Sequence, residues 1–144
     1  MSFSIEPAQA ADLPGILDLL ASHRLPQAEV ERHIDNAIVA REGGRIAGCA
    51  VVETYESAGL LRSVAVAQSQ RGLGLGIRLT EAAIELARAR GIEALYLLTE
   101  TAAEFFPRFG FRPIPRDEVA PAVRQSIEFT RACPASALAM VKDL

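Results

Sequence analysis

Six consecutive residues, Arg71-Gly72-Leu73-Gly74-Leu75-Gly76, combine a cation with three alternating glycines. Glycines at this spacing permit positive φ angles and a close backbone approach. Successive N–H groups can then converge at the head of a following helix, whose dipole favours an anion. The arrangement suits a pyrophosphate, although a turn that merely joins a strand to a helix would use the same letters. A P-loop is excluded, because it needs Lys followed by Ser or Thr, and no lysine lies between Gly72 and Val141. A dinucleotide-binding half is also excluded, even though Glu100 stands near the position of its acidic partner. Such a half opens with strand, turn and helix at the start of a parallel sheet, whereas here antiparallel strands come first.

Other side chains could also do chemistry. Arg62 lies inside an apolar run, Leu60-Leu61-Arg62-Ser63-Val64-Ala65-Val66. A guanidinium placed there must find an anion or reach water. It is either a bidentate clamp for a substrate carboxylate, helped by the Ser63 hydroxyl, or the partner of an internal carboxylate. His23 and His33 read as a helix-end and a packed residue rather than as bases. Cys49 and Cys133 are too few for a disulfide scaffold and sit in different segments, so no metal site is expected. Arg116, Arg124 and Arg131 are surface charges or a patch that recruits an acceptor.

These residues must be positioned by one domain. The chain has 144 residues and 15.5 kDa, half hydrophobic and 23% charged, without repeats or a dividing linker, and reads as a single domain over 1–144. With 15 basic against 18 acidic residues its net charge is -3, which excludes bulk attraction to nucleic acid or an anionic membrane. The start carries no signal-like segment, and no stretch nears the roughly 18 apolar residues of a membrane helix. A soluble, unprocessed, cytoplasmic protein is expected.

The periodicity predicts a strand over Phe3–Glu6 and a helix capped by Asp12, with Leu13, Ile16, Leu17 and Leu20 on one face. Pro26 is expected to open a second helix carrying Val30, His33 and Ile34. Gly43-Gly44 marks a hairpin between Ile38–Arg41 and Ile46–Glu53, and Thr54–Gly59 returns the chain into a third antiparallel strand ending at Val66. A long helix, Ile77–Arg90, turns Arg78, Glu81, Glu85 and Arg88 outward and stops at Gly91. Strand Ala94–Leu98 follows by a right-handed crossover, hence parallel pairing. A short helix over Ala102–Phe109, a strand from Phe111, and a tail with a helix and a strand near Ser136–Val141 complete an α/β (α+β) fold. Its sheet is mixed and mostly antiparallel, with six or seven strands and about four helices.

Leu61-Arg62-Ser63-Val64-Ala65-Val66 followed by Arg71-x-x-Gly74-x-Gly76 resembles the GNAT superfamily of acetyl-CoA-dependent N-acetyltransferases. Ala103-Glu104-Phe105-Phe106-Pro107-Arg108-Phe109-Gly110-Phe111 is similar to that family's second signature, a short helix ending in Gly-Phe before a strand. The resemblance implies acetyl-CoA as co-substrate. Val64 and Val66 would offer main-chain groups to the pantetheine arm, with the N–H of Val64 or Ala65 as an oxyanion donor. Arg71 and the N–H groups of Gly72, Leu73, Gly74, Leu75 and Gly76 would hold the pyrophosphate. More narrowly, Leu60–Val66 and the tail Glu128-Phe129 with Ala132–Ala137 resemble small acetyltransferases found with bacterial arsenic-resistance genes. A more distant likeness is to the acetyltransferase domain of N-acetylglutamate synthases. These imply transfer to the primary amine of an amino acid or an amino-acid analogue. A non-catalytic acyl-CoA sensor and a protein N-acetyltransferase are the alternatives, and a homodimer using the tail strand is an expected assembly.

Amide formation requires the acceptor ammonium to lose a proton. Glu53 is the first candidate base, ahead of Glu56 and Glu100, and a salt-bridged carboxylate is the competing reading for it. The family's proton-donating tyrosine is replaced by Phe106, which can still pack against the cofactor. Tyr96, or else Tyr55, is the substitute donor, and Tyr96 as a plain strand residue is the alternative.

Overall fold

In the computed structural model, residues 3–68, 74–132 and 136–144 are described. The chain opens with β1 (Ser4–Pro7) and α1 (Leu13–Ser22), then forms a meander of β2 (Ala37–Glu42), β3 (Arg45–Tyr55) and β4 (Ala58–Val66). The long helix α2 (Leu75–Ala89) leads into β5 (Ala94–Thr99), followed by β6 (Arg112–Ile114) and β7 (Leu138–Asp143). The strands form one seven-stranded sheet in the order β1-β2-β3-β4-β5-β7-β6. Among the described residues only β4 and β5, joined through α2, pair in parallel. Of the expected helices, two are the α-helices α1 and α2, two are the 3₁₀ segments Val30–Asn36 and Phe106–Phe109, and the tail helix is replaced by the short turns Arg116–Glu118, Val123–Gln125 and Glu128–Ala132. Because β7 lies between β5 and β6, the sheet edges are β1 and β6 rather than the tail strand.

Local chemistry explains most of these boundaries. Gly43 and Gly44 both take positive φ, +56° and +83°, which the two-residue hairpin between β2 and β3 requires. The β3–β4 connection is tighter than the sequence predicts. Tyr55 pairs with Ala58, leaving Glu56 and Ser57 as the turn and Glu56 at φ +56°. The second helix starts at Val30 rather than Pro26, because Glu29 in front of it adopts a left-handed conformation. Asp12 precedes α1, but its carboxylate accepts the N–H of Gln9 at 2.8 Å and pairs with Arg41 instead of capping the helix.

The two faces of the sheet are built differently. On one face, Leu75, Leu79, Ala83, Ile84 and Ala87 of α2 pack on Ala50, Val52, Leu61, Leu95, Leu97 and Met140 in a continuous apolar core. Gly48 permits this approach, since a Cβ there would stand 2.7 Å from Leu79 and 3.0 Å from the Ala65 carbonyl. The other face carries two separate apolar clusters. Ile16 and Leu20 of α1 pack on Val39, Cys49 and Val51, while Leu60, Tyr96 and Val141 pack on Val119 and Val123.

Candidate active site

The sheet opens at its centre. Ladder pairing of β4 with β5 runs from Ala58–Ala94 to Leu61–Leu97 and no further, although β4 continues to Val66 and β5 to Thr99. Beyond Leu61, β4 follows β3 while β5 follows β7. Just past this fork β4 is bulged: Val51 opposes Arg62 and Cys49 opposes Ala65, so Ala50 faces both Ser63 and Val64. Ser63 takes φ +59° there, a left-handed conformation unusual for a residue with a side chain. Val64 and Val66 are half-buried and Ala65 is buried.

β4 leads toward the glycine turn. Arg71, Gly72 and Leu73 lie outside the described residues. Gly74 enters α2 with φ +73°, and Leu75 is buried in the α2 core, which anchors the first turn of the helix. Two adjacent rings stand differently beside this turn. Phe106 is buried and meets Phe111 edge to face at 5.8 Å, so it belongs to the core. Phe105 is the ring that stands beside Gly76 and Val66, with its Cζ 3.7 Å from where a Gly76 Cβ would be. It was not marked out by sequence, because adjacent phenylalanines in a 3₁₀ turn are not sorted by α-helical spacing.

Under the bulge, between the two apolar clusters, lies a buried polar seam. Arg62 donates from Nη1 to Glu53 Oε2 at 2.9 Å, from Nε to Ser63 Oγ at 3.0 Å and from Nη2 to the Pro26 carbonyl at 3.2 Å. The Arg62 and Glu53 side chains are each 1% exposed. Tyr55 donates to Glu53 Oε1 at 2.5 Å, His33 Nε2 lies 3.7 Å from Oε2, and Glu128 Oε1 lies 3.8 Å from Arg62 Nε. Burial alone would raise the Glu53 carboxyl, but hydrogen bonds from Ser126, Tyr55 and Arg62 outweigh it and hold the group below its ordinary range. Burial, together with the Glu53 charge, pushes Tyr55 up, and burial pushes His33 down.

At both residues the structure shows the paired alternative. Glu53 is a buried carboxylate held by Arg62 and Tyr55, the salt-bridged reading of it. Arg62 spends its fork on internal partners, so it forms the internal pair rather than a clamp. The sequence does not mark out Ser126, and it marks Glu128 only as part of the tail motif, with no role in the site.

The remaining candidates are dispersed. Tyr96 is 9% exposed, opposite Leu60 in the parallel ladder and one residue before the fork. Glu56 sits exposed in the β3–β4 turn, and Glu100 is exposed beside Ser136. Cys49 is buried, its thiol donating to the Ser63 carbonyl at 3.2 Å and pushed up to about 12 by burial. Cys133 and the Arg131 side chain lie outside the described residues. Arg116 stacks over Phe129 at 5.6 Å, and Arg124 is exposed. His23 hydrogen-bonds the end of α1 and lines a cavity of about 410 Å³ with Leu19, Ser22, Arg24, Ala67 and Gln68. Among the described residues no group of three or more His, Cys, Asp or Glu could hold a metal, and no helix is long and apolar enough to cross a membrane.

Residues 33–113, more than half of the chain, match the acetyltransferase (GNAT) domain. The chain belongs to the GNAT family. Curated relatives of this GNAT domain include the amino-acid acetyltransferase of Neisseria meningitidis, 30% identical over 81% of the chain, and that of Pseudomonas fluorescens, 33% identical over 85%. The chain spans 29% and 30% of those proteins. Among solved structures, N-acetylglutamate synthase from Neisseria gonorrhoeae, complexed with coenzyme A and N-acetyl-glutamate, superposes with a TM-score of 0.84 at 25% identity. That match covers the whole chain and 35% of the synthase. A Mycobacterium tuberculosis protein in complex with CoA shares the fold at TM-score 0.82 and 22% identity, over 98% of this chain and 99% of its own.

Proposed function

We propose that this GNAT domain transfers acetyl from acetyl-CoA directly to the primary amine of a small molecule, an amino acid or an amino-acid analogue. The observation that carries the reading is the fork. Past Leu61, β4 presents Ser63–Val66 along an edge that β5 has left, and this edge runs toward the head of α2. The residues present fit acetyl-CoA. Main-chain groups of Val64 and Val66 take the amides of the pantetheine arm in the manner of an added strand, while Arg71 and the N–H groups of Gly72–Gly76 hold the pyrophosphate at a helix N-terminus. Phe105 walls the passage beside Gly76 and Val66. When bound, acetyl-CoA would supply an activated acyl group, and the main-chain N–H of Val64 is the donor for its developing oxyanion, since that of Ala65 is turned to Cys49 on β3.

The amine-bearing acceptor enters the fork from the side of the polar seam. Its proton leaves through water, since Glu53 is filled and sealed. Tyr96, one residue before the strands part, is the hydroxyl assigned to return a proton to the departing thiolate. An amino acid as acceptor is supported by the amino-acid acetyltransferases among the relatives. The likeness to arsenic-resistance acetyltransferases rests on Leu60–Val66 and the tail alone, and it makes amino-acid analogues the acceptors to try next.

The test is thiol release from acetyl-CoA with amino acids, amino-acid analogues, polyamines and peptides. Release dependent on amino acids or their analogues supports the reading, and release with peptides alone transfers it to a protein acetyltransferase. Arg71→Ala should weaken CoA binding at least about tenfold with the fold intact, and unchanged affinity removes the pyrophosphate assignment. A second reading, a non-catalytic acyl-CoA sensor, is favoured by Phe106, which carries no hydroxyl and faces the core. Calorimetric CoA binding with no thiol release from any acceptor would select it.

A further inference from the structure

We propose that the buried Glu53–Arg62 pair is a positioning device for the β4 bulge. It holds Ser63 in its left-handed conformation, so that the main-chain groups of Val64 and Val66, alternating with those of Ala65 that face β3, stay turned into the fork between β4 and β5. The inference rests on the acetyl-transfer reading and assigns Glu53 and Arg62 a role other than base and clamp.

A serine at φ +59° persists only where its surroundings over-determine it. Here both ends of the residue are tied. Its Oγ accepts from Arg62 Nε at 3.0 Å, and its carbonyl oxygen accepts the Cys49 thiol at 3.2 Å. The guanidinium is fixed in turn from three directions, by Glu53 on β3, by the Pro26 carbonyl ahead of the 3₁₀ segment and by Glu128 after Ser126. Glu53 is fixed by Tyr55, two residues further along its strand. Each bond leads back to the bulge.

Stability alone does not account for such a pair. Apolar residues of similar volume serve a core as well as a buried ion pair does, because desolvation offsets the Coulombic gain. The other arginine pairs, Arg32–Glu29, Arg41–Glu6, Arg41–Asp12, Arg88–Glu85 and Arg112–Asp143, each include a guanidinium at least 24% exposed. Arg62–Glu53 alone among these described pairs has both side chains at 1%. Its place directly under the fork, and the planar fork of donors that only arginine supplies, point to geometry as its purpose.

The experiment compares Arg62→Lys, Glu53→Gln and the double variant Arg62→Met/Glu53→Met with wild type. Readouts are kcat, acceptor KM, CoA affinity by calorimetry, the pH–rate profile and amide exchange at Ser63–Val66. An ammonium keeps the charge opposite Glu53 but does not reach Ser63 Oγ and the Pro26 carbonyl together. Arg62→Lys should therefore lose about tenfold to a hundredfold in kcat, with KM and CoA affinity within about threefold, as a slight misplacement of reacting groups does. Glu53→Gln should lower kcat and leave the limbs of the pH profile in place. The double variant should recover the melting temperature and not kcat. Exchange at Ser63–Val66 should quicken in all three while the β2–β3 ladder stays protected. Wild-type kcat in Arg62→Lys and Glu53→Gln overturns the proposal. So does a KM rise confined to carboxylate-bearing acceptors, which would make Arg62 a clamp, or loss of the acid limb in Glu53→Gln, which would make Glu53 a base. Absence of thiol release by wild type itself overturns the acetyl-transfer reading, and the positioning role with it.

Discussion

The two faces of the central sheet solve the problem of burial differently. The α2 face is a continuous apolar cluster from Ile38 to Met140, and the buried polar residue of α2, Thr80, donates to the Gly76 carbonyl of its own helix. The opposite face is broken into two apolar clusters, with Glu53, Arg62, Ser63 and Glu128 buried in the same face. The irregular features also gather on this second side: the bulge at Ser63, the left-handed Glu29 and the π-helical turn Glu128–Ala132. The first face is a scaffold tolerant of volume-conserving change, and the second trades packing for geometry. π-Helical turns and strained backbone are found where function needs a side chain or a main-chain group aimed.

Breaking the pair should produce the largest effect. Arg62→Met leaves Glu53 buried and uncompensated, and should destabilise the fold by about 3–5 kcal/mol in urea unfolding. Adding Glu53→Met should return most of that loss. A single Arg62→Met variant within about 1 kcal/mol of wild type would mean that the seam is wetter than its burial indicates. On the scaffold face, Leu79→Ala should lose about 3 kcal/mol through the cavity it leaves, with CoA affinity per folded molecule unchanged. A fall in affinity without a fall in stability would show that the α2 face also shapes the site.

Acid should separate the faces next. His33 is held below its ordinary 6.5 and Glu53 below its ordinary 4.5. A group depressed in the native state contributes stability that is present above its unfolded value and is lost as pH falls through the native one. Stability should therefore decline in two stages, first below about 6.5, where His33 must take up a proton in a half-buried site, then below about 4.5, where Glu53 gives up its partners. Glu6 and Asp12, paired with Arg41 at the β1–β2 edge, add to the second stage. Urea unfolding across pH 3–8 measures this (a range set by those ordinary values). His33→Gln should remove the upper stage and Glu53→Gln should reduce the lower. An unchanged upper stage in His33→Gln would place it in another group.

The same contrast explains how much could be read from sequence. The α2 face was partly legible: helical spacing placed Ile77, Thr80, Ile84 and Ala87 inward and Glu81, Glu85 and Arg88 outward, whereas the buried stripe omits Ile77 and adds Leu75, Leu79 and Ala83. Gly43-Gly44 and the glycines ahead of α2 announce their turns, since only glycine takes such φ freely. The seam was legible only as a question. Arg62 in an apolar run demanded an anion, but that the anion is Glu53 depends on strand pairing across nine residues of sequence. Ser63 carries no mark of its left-handed conformation, which tertiary bonds impose. Phe105 and Phe106 differ only in which way a short 3₁₀ turn aims them.

The smallest effect concerns Cys49, which belongs to the α1 cluster by packing and to the seam by its hydrogen bond to the Ser63 carbonyl. Burial pushes its thiol up to about 12, so in the native protein it is a small apolar residue with a weak donor. Cys49→Ala should cost about 1 kcal/mol in urea unfolding, the sum of a small void and one weak hydrogen bond to the Ser63 carbonyl. If the bulge is held from the Arg62 side, kcat should fall by less than about threefold, far less than in Arg62→Lys. A larger loss of kcat in Cys49→Ala would move the restraint on Ser63 from its hydroxyl to its carbonyl. The α1 cluster, rather than the ion pair, would then set the geometry of the fork.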